Sequence, residues 1–323
     1  MIELRNATRR FGDVRALDGI SLTVPCGAVY GLVGPNGAGK TTCLNVLATL
    51  EKLDDGELYI DGKLAQGNLR TLRRRIGYVP DFFGTMKSVT VDEYLRIFAT
   101  ACGIAGLTRT RRIAQVLQIC GLTDLRETAV DTLSRGMKQR LCLAKALVHE
   151  PDVLILDEPA SGLDPRARNG LRNVIRRIGR SGATIVISSH ILSELDGLCS
   201  HLALLDNGRL LRAGRADELI RAARSRLRWI IRYSGKPGNA LTTLRQLPYV
   251  TAVQTAGEHE LHVTLEEAEL KKHHQSPDEC PADILAALGQ AGVNIRSLEL
   301  EHARLEQALL SLMESNRFAG PEK

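Results

Sequence analysis

Nine residues, Gly34-Pro-Asn-Gly-Ala-Gly-Lys-Thr-Thr42, restrict what this chain can become more than any other stretch. They fit G-x-x-x-x-G-K-[ST], a loop whose backbone N–H groups wrap around nucleotide phosphates. Gly34, Gly37 and Gly39 are expected to supply the left-handed turns that aim those groups into one concavity, with Pro35, Asn36 and Ala38 completing the wall. The apolar run Ala28-Val29-Tyr30-Gly31-Leu32-Val33 before the loop reads as a buried strand. After it, Cys43, Leu44, Val46, Leu47 and Leu50 recur at helical spacing, so the loop opens a helix. A helix N-terminus carries partial positive charge and unpaired N–H groups, both suited to a polyphosphate. Lys40 is placed to reach the β- and γ-phosphates, the Thr41 hydroxyl to ligate Mg²⁺, and Thr42 to close the cradle. A glycine-rich turn with a stray lysine would lack the strand before it and the helix after it. The expected ligand is a nucleoside triphosphate.

Three further stretches fit the same site. Val153-Leu154-Ile155-Leu156 is apolar throughout, as in a strand covered on both faces, and runs into Asp157-Glu158-Pro159. Asp157 stands where a P-loop ATPase keeps the carboxylate that holds Mg²⁺ through water, and Glu158 can polarise an attacking water. Thr184-Ile185-Val186-Ile187 ends in Ser188-Ser189-His190, which puts His190 at the carboxyl end of another parallel strand, within reach of a γ-phosphate. Leu133-Ser134-Arg135-Gly136-Met137 precedes a helix with Leu141, Ala144, Leu147 and Val148 inward. Its Ser134 is a good N-cap, and Ser134 with Gly136 makes a second anion-binding geometry.

Around these stretches the chain divides in two. Residues 1–30 alternate as strands of an antiparallel layer, Leu58–Lys63 reads as a hairpin turning on Asp61-Gly62, and Ile76–Pro80 as a strand after the basic run Arg70, Arg73, Arg74 and Arg75. Residues 90–150 read as helices, with Val91, Tyr94, Leu95 and Phe98 on one face and Ile113, Val116 and Leu117 on another. Pro165 opens a helix that buries Leu171, Val174, Ile175 and Ile178, and Leu202–Leu211 is a hairpin around Asn207-Gly208. A helix over Ala216–Arg224 closes this unit. Beyond it, strands are expected at Trp229–Ile231, Val250–Thr255, Leu261–Leu265 and Val293–Leu300, and helices at Ala282–Leu288 and Ala303–Met313. A polar loop, Lys271–Pro277, lies among them, and its histidines with His259, His262 and Cys280 match no metal-ligand spacing. The expected domains are 1–224 and 225–323.

The order and spacing of these motifs resemble the ATP-binding subunit of an ATP-binding-cassette (ABC) transporter, over residues 1 to about 220. The resemblance implies an α/β fold, a P-loop NTPase cassette with a mixed central sheet, an antiparallel β layer and a helical subdomain, here followed by a small α+β domain. It implies that Gly34–Thr42 and Asp157/Glu158 are the Walker A and B sites, Leu133–Met137 the signature, Ser161-Gly-Leu-Asp164 the D-loop and His190 the switch histidine. Phe11 would stack on adenine. It further implies a head-to-tail dimer, of two copies or with a second cassette subunit, in which Ser134, Gly136 and Asp164 meet a nucleotide held by the partner. Two departures stand out. Arg135 and Met137 stand where the signature usually has a Gly and a Gln, Arg135 adding positive charge near the phosphates. Asp81 replaces the usual Gln after Pro80; it can accept from metal-bound water but cannot donate.

The resemblance makes the chain an ATPase that uses ATP and Mg²⁺ to drive export by separate transmembrane permease subunits, peripheral on the inner face of the cell membrane. Phe82, Phe83 and Met86 would then flank the groove for a membrane subunit, unless they fill the helical subdomain's core. The alternative is a cassette ATPase acting on ribosomes or nucleic acid. A net charge of +6 and a pI near 9.0 suit an anionic membrane or a nucleic acid equally. With 4% aromatic residues, few rings are available to stack on bases, and nucleic acid is not expected as a partner. Seven scattered cysteines without a C-x-x-C pair and a charged start, Met1-Ile-Glu-Leu-Arg, point to reducing cytosol. No apolar run reaches the roughly 18 to 20 residues a membrane span needs, so the membrane part is expected on another chain.

Overall fold

The structure is a computed structural model and describes residues 1–65, 69–81, 84, 86, 88–219, 226–235, 238–257, 259–273 and 280–301. It divides into two units, Met1–Ala216 and Asp217–Lys323.

In the first unit, β1 (Ile2–Phe11) and β2 (Val14–Val24) form the expected antiparallel pair, joined by β4 (Asp55–Ile60) and β5 (Lys63–Leu64) in the order β2-β1-β4-β5. Alternation buries Ile2, Leu4, Ile20, Leu22 and Val24 on one face. A second, six-stranded sheet runs β10-β9-β3-β8-β7-β6. Its parallel members are β3 (Val29–Val33), β6 (Ile76–Val79), β7 (Val153–Leu156), β8 (Thr184–Ser189) and β9 (His201–Asp206). Only β10 (Arg209–Arg215) runs against them, returning from β9 through the Asn207-Gly208 turn. β3, β7 and β8 are buried at every residue, as continuous apolar strands require. Helix α1 (Lys40–Leu47) belongs to one core with both sheets, in which Leu44 and Leu47 share a buried cluster with residues such as Leu4, Ile20, Ile155 and Val186.

A short helix α2 (Leu69–Arg73) precedes β6, and the helical layer follows it: α3 (Val91–Ala101), α4 (Gly106–Cys120) and α5 (Arg135–Leu147). Thr90 starts α3 with a complete capping box to Glu93, and Gly121 ends α4 in the left-handed conformation. Helix α6 (Pro165–Arg180) has Pro165 in its first turn and buries the four apolar residues expected. Residues 216–219 begin the helix expected over Ala216–Arg224, and the rest of that stretch lies outside the described residues, as do Phe82, Phe83 and the helix expected at Ala303–Met313.

The second unit is a four-stranded antiparallel sheet of β11 (Arg226–Ser234), β12 (Val250–Thr255), β13 (Glu260–Glu266) and β14 (Asn294–Glu301), ordered β12-β13-β11-β14. With helices Ala240–Arg245 and Cys280–Gln290 between them, the strands make a βαββαβ arrangement of the ferredoxin-like kind. Trp229, Ile231, Tyr233, Leu261, Val263, Leu265, Ile284 and Leu288 share its core. One expectation fails here: Lys271 and Lys272 do not open a loop but end a helix, Glu267–Lys272. Leu270 is buried in the core, and this apolar contact holds the turn helical despite its polar neighbours.

Candidate nucleotide site

Strand order and register assemble the site. Val33 pairs with Ser189 on one side and Leu204 on the other, while Leu156 pairs with Ile187 and Val79. One or two residues beyond these pairs, Gly34, Asp81, Asp157, Glu158 and His190 emerge at the same carboxyl edge, where open α/β sheets bind ligands.

The loop after β3 satisfies part of this geometry by space rather than by handedness. Gly37 and Gly39 have the expected positive φ, 82° and 98°. Gly34 does not; there a Cβ would lie 2.3 Å from the Leu205 carbonyl oxygen of β9, so glycine is required by the close approach of a neighbouring strand. Gly39 is also the N-cap of α1 and provides no side-chain bond, leaving first-turn N–H groups for an anion. Lys40 is nearly buried, and its ammonium donates to the carbonyls of Gly34 (2.8 Å) and Pro35 (3.1 Å). Its third neighbour is Glu158 Oε1 at 3.1 Å. Ala38 is tied down from both sides, donating to Pro35 O and accepting from the Gly208 N–H of the β9–β10 turn.

Asp157 is 2% exposed and accepts a 2.7 Å hydrogen bond from the Ser188 hydroxyl. Burial pushes its carboxyl above the usual carboxylate range; the Ser188 and Thr41 hydroxyls pull it back, and the nearby carboxylates Glu158 and Asp81 push it up again. The Thr41 hydroxyl and the Asp81 carboxylate act on Asp157, oxygen donors of the kind a divalent cation favours, although among the described residues no group of three or more His, Cys, Asp or Glu side chains is gathered to hold a metal without further ligands. Glu158 has φ 44°, an uncommon angle for a residue with a side chain. Its N–H donates to Ser188 Oγ at 2.8 Å, and its other carboxylate oxygen lies 2.5 Å from His190 Nδ1. Glu158 therefore sits between the loop lysine and the strand-end histidine.

Lys40, Glu158 and His190 line one cleft of about 630 Å³ with Asn36, Gly37, Gly39, Thr41, Thr42 and Asp81, while Gly34, Pro35, Ala38 and the buried Asp157 lie outside its lining. Val14, Arg15, Ala16, Ser161 and Asn207 also line it, and none was singled out for this role from sequence. They belong to a hairpin, a loop and a turn that only the sheet order brings beside the phosphate loop. Phe11 is half exposed near the β1–β2 turn and outside the lining; Arg9, clamped by Glu51 and Asp54, lies over its ring at 4.7 Å. Ser134, Gly136 and Asp164 also stand apart from this cleft. Ser134 caps α5 by accepting from Met137 N–H, and Asp164 caps α6 by accepting from Arg166 and Ala167 N–H. A Cβ at Gly136 would come within 2.6 Å of Ala167, so the start of α5 packs directly on α6. Arg135 lays its guanidinium against Gly162 of its own chain, not over the cleft.

Comparison with known proteins agrees with this geometry. The ABC transporter family model matches residues 17–161. A Nod factor export ATP-binding protein I from Ralstonia nicotianae is 37% identical over 220 residues, 68% of each chain. The linearmycin resistance ATP-binding protein LnrL of Bacillus subtilis is 29% identical over 312 residues, 97% of this chain and 98% of its own. Among solved structures, a dimeric bacterial ABC transporter cassette superposes with a TM-score of 0.60 at 26% identity, covering 67% of this chain and 98% of its own. A loop that presents N–H groups and a lysine, an acidic pair at the adjoining strand end and a sequence aligned over two thirds of such relatives have one reading: the chain belongs to the ABC transporter family, as an ATP-binding, ATP-hydrolysing subunit.

Proposed function

We propose that this subunit binds Mg-ATP in a head-to-tail pair of cassettes and uses its hydrolysis to drive export by separate membrane permease subunits. The observation that carries the reading is Glu158, held between Lys40 and His190 in the cleft lined by the phosphate loop. Gly34–Thr42 cradle the phosphates, and Lys40 supplies positive charge to them. Thr41, Asp157 and Asp81 would hold Mg²⁺, whose chemistry when bound would be to neutralise phosphate charge. Glu158 takes a proton from the attacking water, and His190 orients Glu158 through the contact at its Nδ1. Phe11 stacks on the base.

Support for the pairing comes from Ser134 and Gly136, which stand apart from the chain's own cleft, and from the dimeric cassette it resembles. Those two residues, with Asp164, act on the nucleotide of the partner copy or of a paired cassette subunit. Export is supported by the Nod factor relative, and the cytoplasmic face of the cell membrane is the location that goes with it. No helix among the described residues is long and apolar enough to cross a membrane, so the permease is assigned to other chains. The ATP-binding domain is assigned to 1–224 and an accessory domain to 225–323. The test is mild detergent purification of the native complex, with ATP hydrolysis measured on it. A polytopic membrane protein co-purifying with an active ATPase supports the reading. Ribosomal proteins or nucleic acid in its place would overturn export.

A further inference from the structure

Ser188 touches both residues of the acidic pair and is fully buried. A backbone N–H can only donate, so the 2.8 Å contact with Glu158 N uses an acceptor lone pair of the hydroxyl. The single hydroxyl proton is then committed to Asp157 Oδ1, at 2.7 Å. One oxygen thus ties two residues together: with the Thr41 hydroxyl it holds the Asp157 carboxylate, and it accepts from the Glu158 backbone at its uncommon φ of 44°. That backbone angle decides where the Glu158 carboxylate goes, and it goes to Lys40 and His190. The arrangement depends on register: with Leu156 opposite Ile187, the residue after each, Asp157 and Ser188, comes level at the sheet edge. The next serine faces away from the pair. Ser189 accepts from Ile191 N–H and donates to Glu194, which Arg168 of α6 pairs at 3.1 Å.

We infer that Ser188 is the positioning residue of the hydrolytic centre, holding Asp157 and Glu158 in register with each other by a donated and an accepted hydrogen bond. This rests on the proposed ATPase reading and deepens it. A serine that merely satisfied a buried carboxylate would affect stability and not the turnover step; a positioning serine affects turnover at unchanged nucleotide affinity.

The test uses the full chain with Ser188→Ala, Ser188→Thr and Ser188→Val, the last two matched in shape and differing in the hydroxyl. For each, kcat and KM for Mg-ATP, the metal-free ATP dissociation constant and the thermal midpoint are measured. Ala and Val are expected to lose about 10- to 100-fold in kcat, the usual effect of losing an outer-shell partner, with metal-free ATP affinity within about two-fold of the parent. Thr should stay well above Val. A folded Ala variant with parental kcat overturns the inference, as does Val matching Thr, or a loss confined to ATP affinity. If Thr and Val do not fold, Ala, which removes one atom, decides. Glu158→Gln is run beside them: if it leaves hydrolysis intact, the ATPase assignment of Glu158 fails; if it abolishes hydrolysis while Ser188→Ala does not, only the role of Ser188 fails.

Discussion

Replacing Glu158 by Gln should do two things at once, and the second follows from the ion pair rather than from chemistry at the phosphate. Glu158 Oε1 lies 3.1 Å from the Lys40 ammonium, and the side chains are 13% and 6% exposed. Phosphates that use Lys40 must compete with that carboxylate. At an effective dielectric near 20, a pair at this separation attracts by about 5 kcal/mol. Much of this offsets the desolvation of both groups, and Lys40 keeps its bonds to the Gly34 and Pro35 carbonyls. A residual of about 1 to 2 kcal/mol corresponds to a factor of roughly 5 to 30. The Gln variant should therefore bind ATP more tightly than the parent by about that factor while losing about 10²- to 10⁴-fold in hydrolysis, the usual share of a general base. Affinity is read with a fluorescent ATP analogue in EDTA, so that metal does not enter, and hydrolysis is read separately with Mg²⁺. A Lys40→Ala background supplies the control, because there the substitution should leave affinity unchanged. Equal or weaker metal-free binding by Glu158→Gln in the otherwise native chain would refute the competition.

Asp81→Ala should raise the Mg²⁺ concentration needed for half-maximal hydrolysis by about 5- to 10-fold, equivalent to about 1 kcal/mol, with little change in metal-free ATP affinity. Asp81→Gln should recover much of it, and a Mg²⁺ dependence identical to the parent's in the Ala variant would make Asp81 a loop residue. His149, bonded to the Ile76 carbonyl, is held below its ordinary value of 6.5 mainly by burial. The unfolded chain takes up that proton first, so the stability this ring contributes is complete above pH 6.5 and is lost as pH falls beneath it. His149→Gln should flatten the fall in denaturant midpoint on that acid side, and an unchanged slope would exclude the ring as a source of it. A fragment ending at Arg224 should bind ATP with parental affinity, because every residue lining the cleft precedes Ala216; a fragment that does not bind would show that the two units are not independent.

Much of the site was legible because its chemistry is local. The phosphate loop needs its glycines, lysine and threonine within nine residues, flanked by a strand and a helix, and the structure supplies both flanks. The same holds for Asp164 and Pro165 at the start of α6 and for the apolar strand ending at Asp157, where capping and burial act between near neighbours. Helix Glu267–Lys272 was missed because its stabilising contact, Leu270 in the core, is long-range and its local composition is polar.

What sequence alone determined, then, was the phosphate loop, the acidic pair and the elements that carry them, because propensity, capping and phosphate-loop geometry operate over a few bonds. Tertiary structure decided how those groups meet. Ser188 and Asp157 are 31 residues apart, and Lys40 and Glu158 lie on different strand–loop units. Gly34 answers to a carbonyl of β9, Arg135 rests on Gly162, and Arg9 backs Phe11 through Glu51 and Asp54. Each of these contacts depends on which strand lies beside which and in what register. That choice is made by burying apolar faces across the whole unit, and one residue of slip would exchange every inward side chain for its neighbour.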